Sequence, residues 1–432
     1  MDKLKGFRDF YPEEMRQRRR IFNACREVSR LFGYEEISFP SIEPLELFRV
    51  KSGDQILDQT YSFRDKGARE LTLIPEATPS VSRMLAERKD LPRPVRWYSL
   101  EKYWRYEEPQ AGRTREFYQY NGDLFGPYSE LADAEIIGLA GSILDNLGLM
   151  EKYEFHVSHR KLIENILLKL GAPRPADVLP VIDRFHKIPE SASMEKLEQA
   201  GIRGDGLDTL IRMLKGRVNL ETIDSFLGNA GLDLAGLPEV EWLKMVGMLL
   251  KPYSVKNVVF DASIVRGFAY YTGTVFEAFD LNEENRAILG GGRYDNLVSV
   301  ISGTSIPAIG FGMGDVVLEL VMKASGVWTA TEGELIAAVC FASGDCVAYA
   351  VDLASKLRKR GIPALISPES RSLSSQMKDA SRHGATFALI VGEKEKESGT
   401  VTVKRMSDGS QKTVTIGEAI TILTGEVNHS GE

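Results

Sequence analysis

The sequence predicts two folding units: an α+β unit interrupted by a helical segment, followed by a smaller α/β unit. Three observations predict it. Residues 96–126 alternate with period 2 on both sides of a Pro, Gln and Gly turn, which marks a long antiparallel hairpin. Residues 160–250 read as consecutive short helices split by Gly and Pro. From residue 334 onward, strand and helix patterns alternate in a βαβ rhythm. A chain of 432 residues is also too long for one hydrophobic core. The expected boundaries are 1–159 with 251–325 for the first unit, 160–250 for the helical insertion, 326–333 for a linker, 334–425 for the α/β unit and 426–432 for a disordered tail.

Taken in order, Pro12 opens a helix whose Ile21, Val28, Leu31 and Phe32 share a face and which stops at Gly33. "YEEISFP" is a short strand leading to Pro40, and strands with long hydrophilic connections fill the chain to about Asp123. "SELADAEIIGLAGSILDNLG" is a helix and "YEFHVSH" a strand; strand-like sequence resumes after the insertion at "NVVFDASIV" and over Tyr270–Phe279. In the last unit "LIAAVCFA", "IPALIS" and "TFALIVG" are strands, and "CVAYAVDLASKLRKRG" and "SSQMKDASRHG" are helices.

Composition narrows the chemistry. The chain is 43% hydrophobic and 27% charged, with mean hydropathy −0.17, and no apolar run approaches a bilayer span. The N-terminal "MDKLKGFRDFYPEEMRQRRR" has no apolar core and carries acidic residues, so a cytoplasmic protein is expected. Cys25, Cys340 and Cys346 form no C-x-x-C pair, which argues against a disulfide framework or a zinc ribbon. The histidines form no H-E-x-x-H set, and His156 and His159 fall on opposite faces of a strand, so structural or surface roles and no side-chain metal site are expected. A net charge of −7 does not point to nucleic acid, but a local basic face decides that question.

The hairpin "RWYSLEKYWRYEEPQAGRTREFYQYNGDLFG" carries the chemistry. Arg113, Arg115, Phe117, Gln119, Asn121 and Asp123 occupy odd positions of its second arm and share one side of the sheet; Arg105 ends the first arm near the same surface. A face graded from cations through an aromatic ring and an amide to a carboxylate suits a ligand lying along the strand. Arginines take phosphates, Phe117 stacks a base, and Gln119 with Asp123 holds a cationic small molecule. The plainer reading is a solvated charged strand. "LTLIPEATPS" adds Glu76 and Thr78, a carboxylate and a hydroxyl suited to an ammonium group. "RGFAYYTGTVFE" places Arg266, Tyr270 and Tyr271 at a strand entry, and "ILGGGRYDNL" and "GFGMGDVVLEL" are glycine-rich with no phosphate-loop spacing.

"PEAT", "RYEEPQAGRTREFYQ", "RGFAYYTGTVFE" and "GGGRYDNL", in this order, resemble the motifs of class II aminoacyl-tRNA synthetases and, among them, of histidyl-tRNA synthetases. The resemblance covers essentially the whole chain. It implies an antiparallel sheet flanked by helices, with residues 33–48 around Pro40 at a homodimer interface, a C-terminal anticodon-binding domain, and ligation of L-histidine to tRNA(His) through a histidyl-adenylate. Carried onto this sequence, it puts Arg105 and Arg266 at the ATP α-phosphate, Arg266 in the role that many class II enzymes give a metal ion. Phe117 stacks adenine, and Glu107 and Arg113 bind the rest of ATP, whose outer phosphates carry Mg²⁺. Glu76, Ala77 and Thr78 meet the histidine α-amino group with Gln119 alongside; Asp123, Tyr270 and Tyr271 line the imidazole site, with Tyr294 close by. Gln110 and the cluster Lys356, Arg358, Lys359 and Arg360 are assigned to tRNA.

Three departures stand out. The motif 3 arginine for the γ-phosphate is Val317, Ala269 replaces the family's usual Asp or Asn, and Asp123 stands where some members have Glu. The expected substitute cation is Arg113, with Arg115 assisting and Arg293 next in line. A catalytically silent regulatory subunit of ATP phosphoribosyltransferase is the alternative, although such subunits lack the C-terminal domain.

Overall fold

The period-2 alternation becomes the strands Val95–Trp104 and Glu116–Phe125, paired antiparallel with Trp97 opposite Asp123 and Tyr103 opposite Phe117. The computed structural model describes every residue except 1, 53–57, 89, 235, 267–269, 282–285, 329–334, 370 and 430–432. Ala269 and most of the expected linker therefore lie outside the described residues.

The hairpin belongs to a nine-stranded sheet whose spatial order is 35–36, 95–104, 116–125, 308–314, 289–293, 274–280, 153–159, 258–261 and 217–219. Pairing is antiparallel except between 35–36 and 95–104 and between 153–159 and 258–261. The sheet is thus antiparallel through its middle and mixed toward its flanks. Both parallel pairs close long crossovers, as parallel strands require. The expected strand at Tyr270 begins only at Thr274, and "YEEISFP" contributes just Glu35–Glu36.

The two sides of the sheet differ. Tyr120 and Leu124 pack with Ile21, Cys25 and Val28 of the helix Pro12–Leu31 and with Ile136, Ile137 and Ile143 of the helix Glu130–Asn146. Each such aliphatic side chain contributes about 1.5–3 kcal/mol on burial. Ser129 caps the second helix by accepting the Ala132 N–H at 3.3 Å. Odd positions of Glu116–Phe125 face the other way, where Phe117 and Phe125 join a second cluster with Phe48, Val81, Tyr103 and Val298.

Helices 160–169, 175–182, 190–199, 205–215, 223–229 and 238–250 occupy the insertion. It is not a separate body. Leu162, Leu210 and Leu243 share the core of Ile136 and Phe276, and Arg217–Asn219 pairs with Val258–Asp261 as the last strand of the sheet. Chain contacts divide the protein into units 1–329 and 330–432. The second unit has its own core, including Val339, Leu353, Leu389 and Val401, on a five-stranded sheet ordered 364–366, 337–341, 387–391, 400–405 and 411–415. Its first three strands are parallel and the last two pairings antiparallel. The tail expected from residue 426 is helical to His429, because Ile416–His429 continues one helix.

His159, the last residue of Tyr153–His159, is 4% exposed, and burial lowers its pKa from 6.5 to about 4. The folded state keeps this ring neutral while the unfolded chain protonates it near 6.5. Between those values the unfolded state binds more protons, so stability is complete above pH 6.5 and falls as pH drops toward 4. His159→Gln is expected to flatten the fall in melting temperature between pH 6.5 and 4.5; an unchanged slope would assign the acid sensitivity to other groups.

Candidate active site

Two cavities open along the odd-numbered face of Glu116–Phe125, and Arg105, Gln119 and Arg266 form a wall common to both. The smaller holds about 150 Å³ and is lined by Glu76, Ala77, Thr78, Gln119, Asp123, Tyr270, Tyr271 and Tyr294, the residues expected around histidine. The larger, about 900 Å³, is lined by Arg105, Glu107, Arg113, Phe117 and Arg266, the set expected around ATP.

Glycines make room for the polar side chains. A Cβ at Gly290 would lie 1.5 Å from Arg266 Nη1, and one at Gly310 would lie 2.1 Å from Asp123 Oδ1. Strands Leu289–Arg293 and Ala308–Gly314 thus serve as a bare floor on which a guanidinium and a carboxylate rest. Asp123 is buried and accepts the Tyr294 hydroxyl. Tyr270 and Tyr271 bring their hydroxyls within 3.4 Å of each other. Burial first, then Tyr271 and Glu76 at Tyr270 and Asp123 at Tyr294, lifts both pKa values well above the usual range, so both stay neutral hydroxyl donors. Gln119 donates to Asn121 Oδ1 at 2.5 Å, and Asn121 donates to the Tyr103 hydroxyl at 3.0 Å, which fixes the amide row.

Arg105 donates from Nε to the Pro75 carbonyl at 2.9 Å, and its guanidinium sits 5.1 Å from the Phe117 ring centre. Arg113 pairs with Glu107 at 2.8 Å. Arg266 has a positive φ of 50° and an ion pair to Glu277 at 3.2 Å. Its Nη1 is the atom that faces Glu277 in that ion pair, whereas its buried Nε has no hydrogen-bond partner among the described residues. Burial opposes its charge, but Tyr271, Glu277 and Tyr270 outweigh that and raise its pKa, so the guanidinium stays cationic.

The structure corrects several expectations. Arg115 lies before the strand rather than on its face: it stacks 4.4 Å over Tyr106, donates to the Glu107 carbonyl and lines neither cavity. Arg293 is 1% exposed and held by Asp133 at 2.5 Å and Asp295 at 3.2 Å, so it cannot serve a phosphate. The insertion, from which no site residue was expected, sends Asp183, His186, Lys187 and Arg217 to the larger cavity. His156 lines it too, between Asp261 at 3.0 Å and Glu154 at 3.1 Å. Arg286, which sequence reasoning passed over, lies beside Val317 on the same wall. Gln110 is at the hairpin tip, bridged to Arg113 through the backbone. In the second unit Lys356 pairs with Asp352 at 2.6 Å and Arg358 donates to the Ala364 carbonyl, leaving Lys359 and Arg360 as the exposed remainder of that cluster. Among the described residues no group of His, Cys, Asp and Glu is placed to hold a metal, and no helix is long and apolar enough to cross a membrane.

Residues 6–315 match the family described as histidyl-tRNA synthetase, and residues 336–426 match the anticodon-binding domain family. Histidine–tRNA ligase of Thermoplasma volcanium is 46% identical over 98% of both chains. That of Picrophilus torridus is 42% identical over 97% of this chain and 98% of its own. The crystal structure of histidyl-tRNA synthetase from Nostoc sp. PCC 7120 superposes with a TM-score of 0.84 at 22% identity, covering 98% of this chain and 99% of that one, which shows a shared fold. The curated relatives favour the ligase over the regulatory-subunit alternative, as does the matched C-terminal domain. The family match over residues 6–315 and relatives 46% and 42% identical over nearly the whole length place the chain in the histidyl-tRNA synthetase family.

Proposed function

We propose that the two cavities are the halves of one active site, in which the ligation of histidine to its tRNA begins at the wall formed by Arg105, Gln119 and Arg266. Histidine occupies the smaller half: Glu76 and Thr78 receive its ammonium group, and Asp123, fixed by Tyr294, accepts the imidazole N–H. ATP, entering as its magnesium complex, occupies the larger half with adenine on Phe117 and its outer phosphates toward Arg113. The common wall carries this reading, because it brings a carboxylate from one side and an α-phosphate from the other within reach of the same arginines.

The chemistry asks little else of the protein. A carboxylate oxygen attacks the α-phosphorus, the bond to the bridging oxygen breaks, and pyrophosphate leaves with that electron pair. No proton moves, so no general base is required. Catalysis is positioning plus stabilisation of negative charge on the non-bridging oxygens. Arg266, held by Glu277 through Nη1 and with a buried Nε that has no partner among the described residues, is a preorganised donor for those oxygens. In the second step a tRNA hydroxyl attacks the adenylate carbonyl, the bond from that carbon to the phosphate oxygen breaks, and AMP leaves with the electron pair while its phosphate takes up the hydroxyl proton. Histidine-dependent ATP–pyrophosphate exchange tests the first step directly; a purified, folded protein without it would overturn the assignment.

Asp123→Asn is expected to raise the KM for histidine about tenfold while moving that for ATP much less, since a buried site that bonds a substrate N–H loses most when its acceptor is weakened. Equal changes in both constants would mean that Asp123 only supports Tyr294. The pairing of two chains through residues 33–48 belongs to the same proposal, supported by the exposed apolar Ile42 and Phe63 on the small sheet 42–44, 70–73 and 62–64. So does a cytoplasmic setting.

A further inference from the structure

The cations of the larger cavity are not equivalent. Arg105 is anchored on Pro75, Arg113 on Glu107, Arg266 on Glu277 and Arg217 on Asp261. Arg286 alone among these arginines has no hydrogen bond or ion pair to any described residue. It comes from the connection between strands Thr274–Asp280 and Leu289–Arg293, yet its stem reaches the tip of the other hairpin. A Cβ on Gly112 would meet Val317 Cγ2 at 3.2 Å and Arg286 Cδ at 3.5 Å, so the arginine stem and the valine lie against the same glycine. Arg113 is the next residue along. Glycine is favoured there by a φ of +75°, and a Cβ would also press lightly on the Val317 methyl.

Two guanidinium groups in one cavity, with Glu107 already committed to one of them, leave an excess of positive charge there among the described residues. Burial and the repulsion from Arg113 both lower the Arg286 pKa, and Glu107 offsets them only in part. An arrangement of this kind is relieved by an anion that accepts from both forks, and phosphate oxygens match that geometry. Val317, at the end of the cavity where the family resemblance assigns a cation, offers only methyl groups.

We infer that Arg286 is a substrate-binding residue that, with Arg113, clamps the terminal phosphates of ATP, the charge being delivered from a hairpin connection instead of from the helix that carries Val317. The inference rests on ATP occupying the larger cavity as proposed above. It makes Arg113 one jaw of a pair.

The test uses the full-length protein with Arg286→Ala and Arg286→Lys. Calorimetric titration with ATP and separately with AMP reads the terminal phosphates without turnover, and pyrophosphate exchange gives the KM values. Arg286→Ala is expected to weaken ATP binding and raise its KM about tenfold, the size of one charge-assisted contact. AMP binding and the KM for histidine should change less than about twofold, and Arg286→Lys should recover part of the loss. Equal weakening of ATP and AMP would overturn the inference. So would unchanged ATP binding with a raised KM for tRNA, which would make Arg286 a contact to nucleic-acid phosphate. Absence of exchange in the unaltered protein would count against the adenylation reading instead, and the ATP-against-AMP difference would still decide Arg286.

Discussion

Replacing Arg266 with alanine is expected to lower the rate of histidine-dependent pyrophosphate exchange by about a hundredfold or more, the loss of about 3–4 kcal/mol that follows removal of one preorganised donor from a developing oxyanion. The geometry argues for an effect this large. The side chain is largely buried, its Nε has no partner among the described residues, its backbone is in the left-handed region, and Gly290 is kept bare beneath it. A positive φ at an arginine costs free energy, and such strain persists where the surroundings hold the residue in place. The substitution also strands Glu277, whose pKa burial already raises. Arg266→Ala combined with Glu277→Gln separates the two effects: recovery of stability without recovery of rate is expected. Normal exchange in a folded Arg266→Ala protein would remove this arginine from the chemistry.

Deleting residues 334–432 is expected to leave pyrophosphate exchange within a few-fold of the intact protein while lowering kcat/KM for tRNA charging by roughly 10²–10⁴-fold, the range lost when one of two linked binding surfaces is removed. The separate cores of the two units make a folded truncation reasonable. The basic cluster read from the sequence is weaker in the structure, since Lys356 and Arg358 are engaged within the unit. Lys359→Ala with Arg360→Ala should therefore account for only part of the loss. A truncated protein that charges tRNA as well as the intact one would refute the anticodon-binding role.

The sequence made the row Phe117, Gln119, Asn121 and Asp123 legible because strand alternation is strict and the strand spans all four. The same alternation misled at Arg115. The strand begins at Glu116, so the pattern continued one residue beyond the geometry that gives it meaning. Arg293 was misread for a different reason: its partner Asp133 is on a distant helix, and nothing local to a glycine run announces a buried ion pair. His186, Lys187 and Arg217 were invisible as site residues because a crossover, not a motif, returns them to the cavity. Arg286 lacked a signal altogether. It became readable only when Gly112, Val317 and a second hairpin met in space.

The wall shared by the two cavities carries a thermodynamic consequence. Arg105, Gln119 and Arg266 line both cavities, so with histidine and ATP bound as proposed, whichever arrives first changes the field and the side-chain freedom met by the second. Affinities in such a site are not independent quantities. Any factor by which bound ATP tightens or loosens histidine is, by reciprocity, the factor by which histidine acts on ATP. A charge on that wall is therefore a coupling constant as well as a contact, and removing it alters how the two ligands sense each other even where each alone still binds.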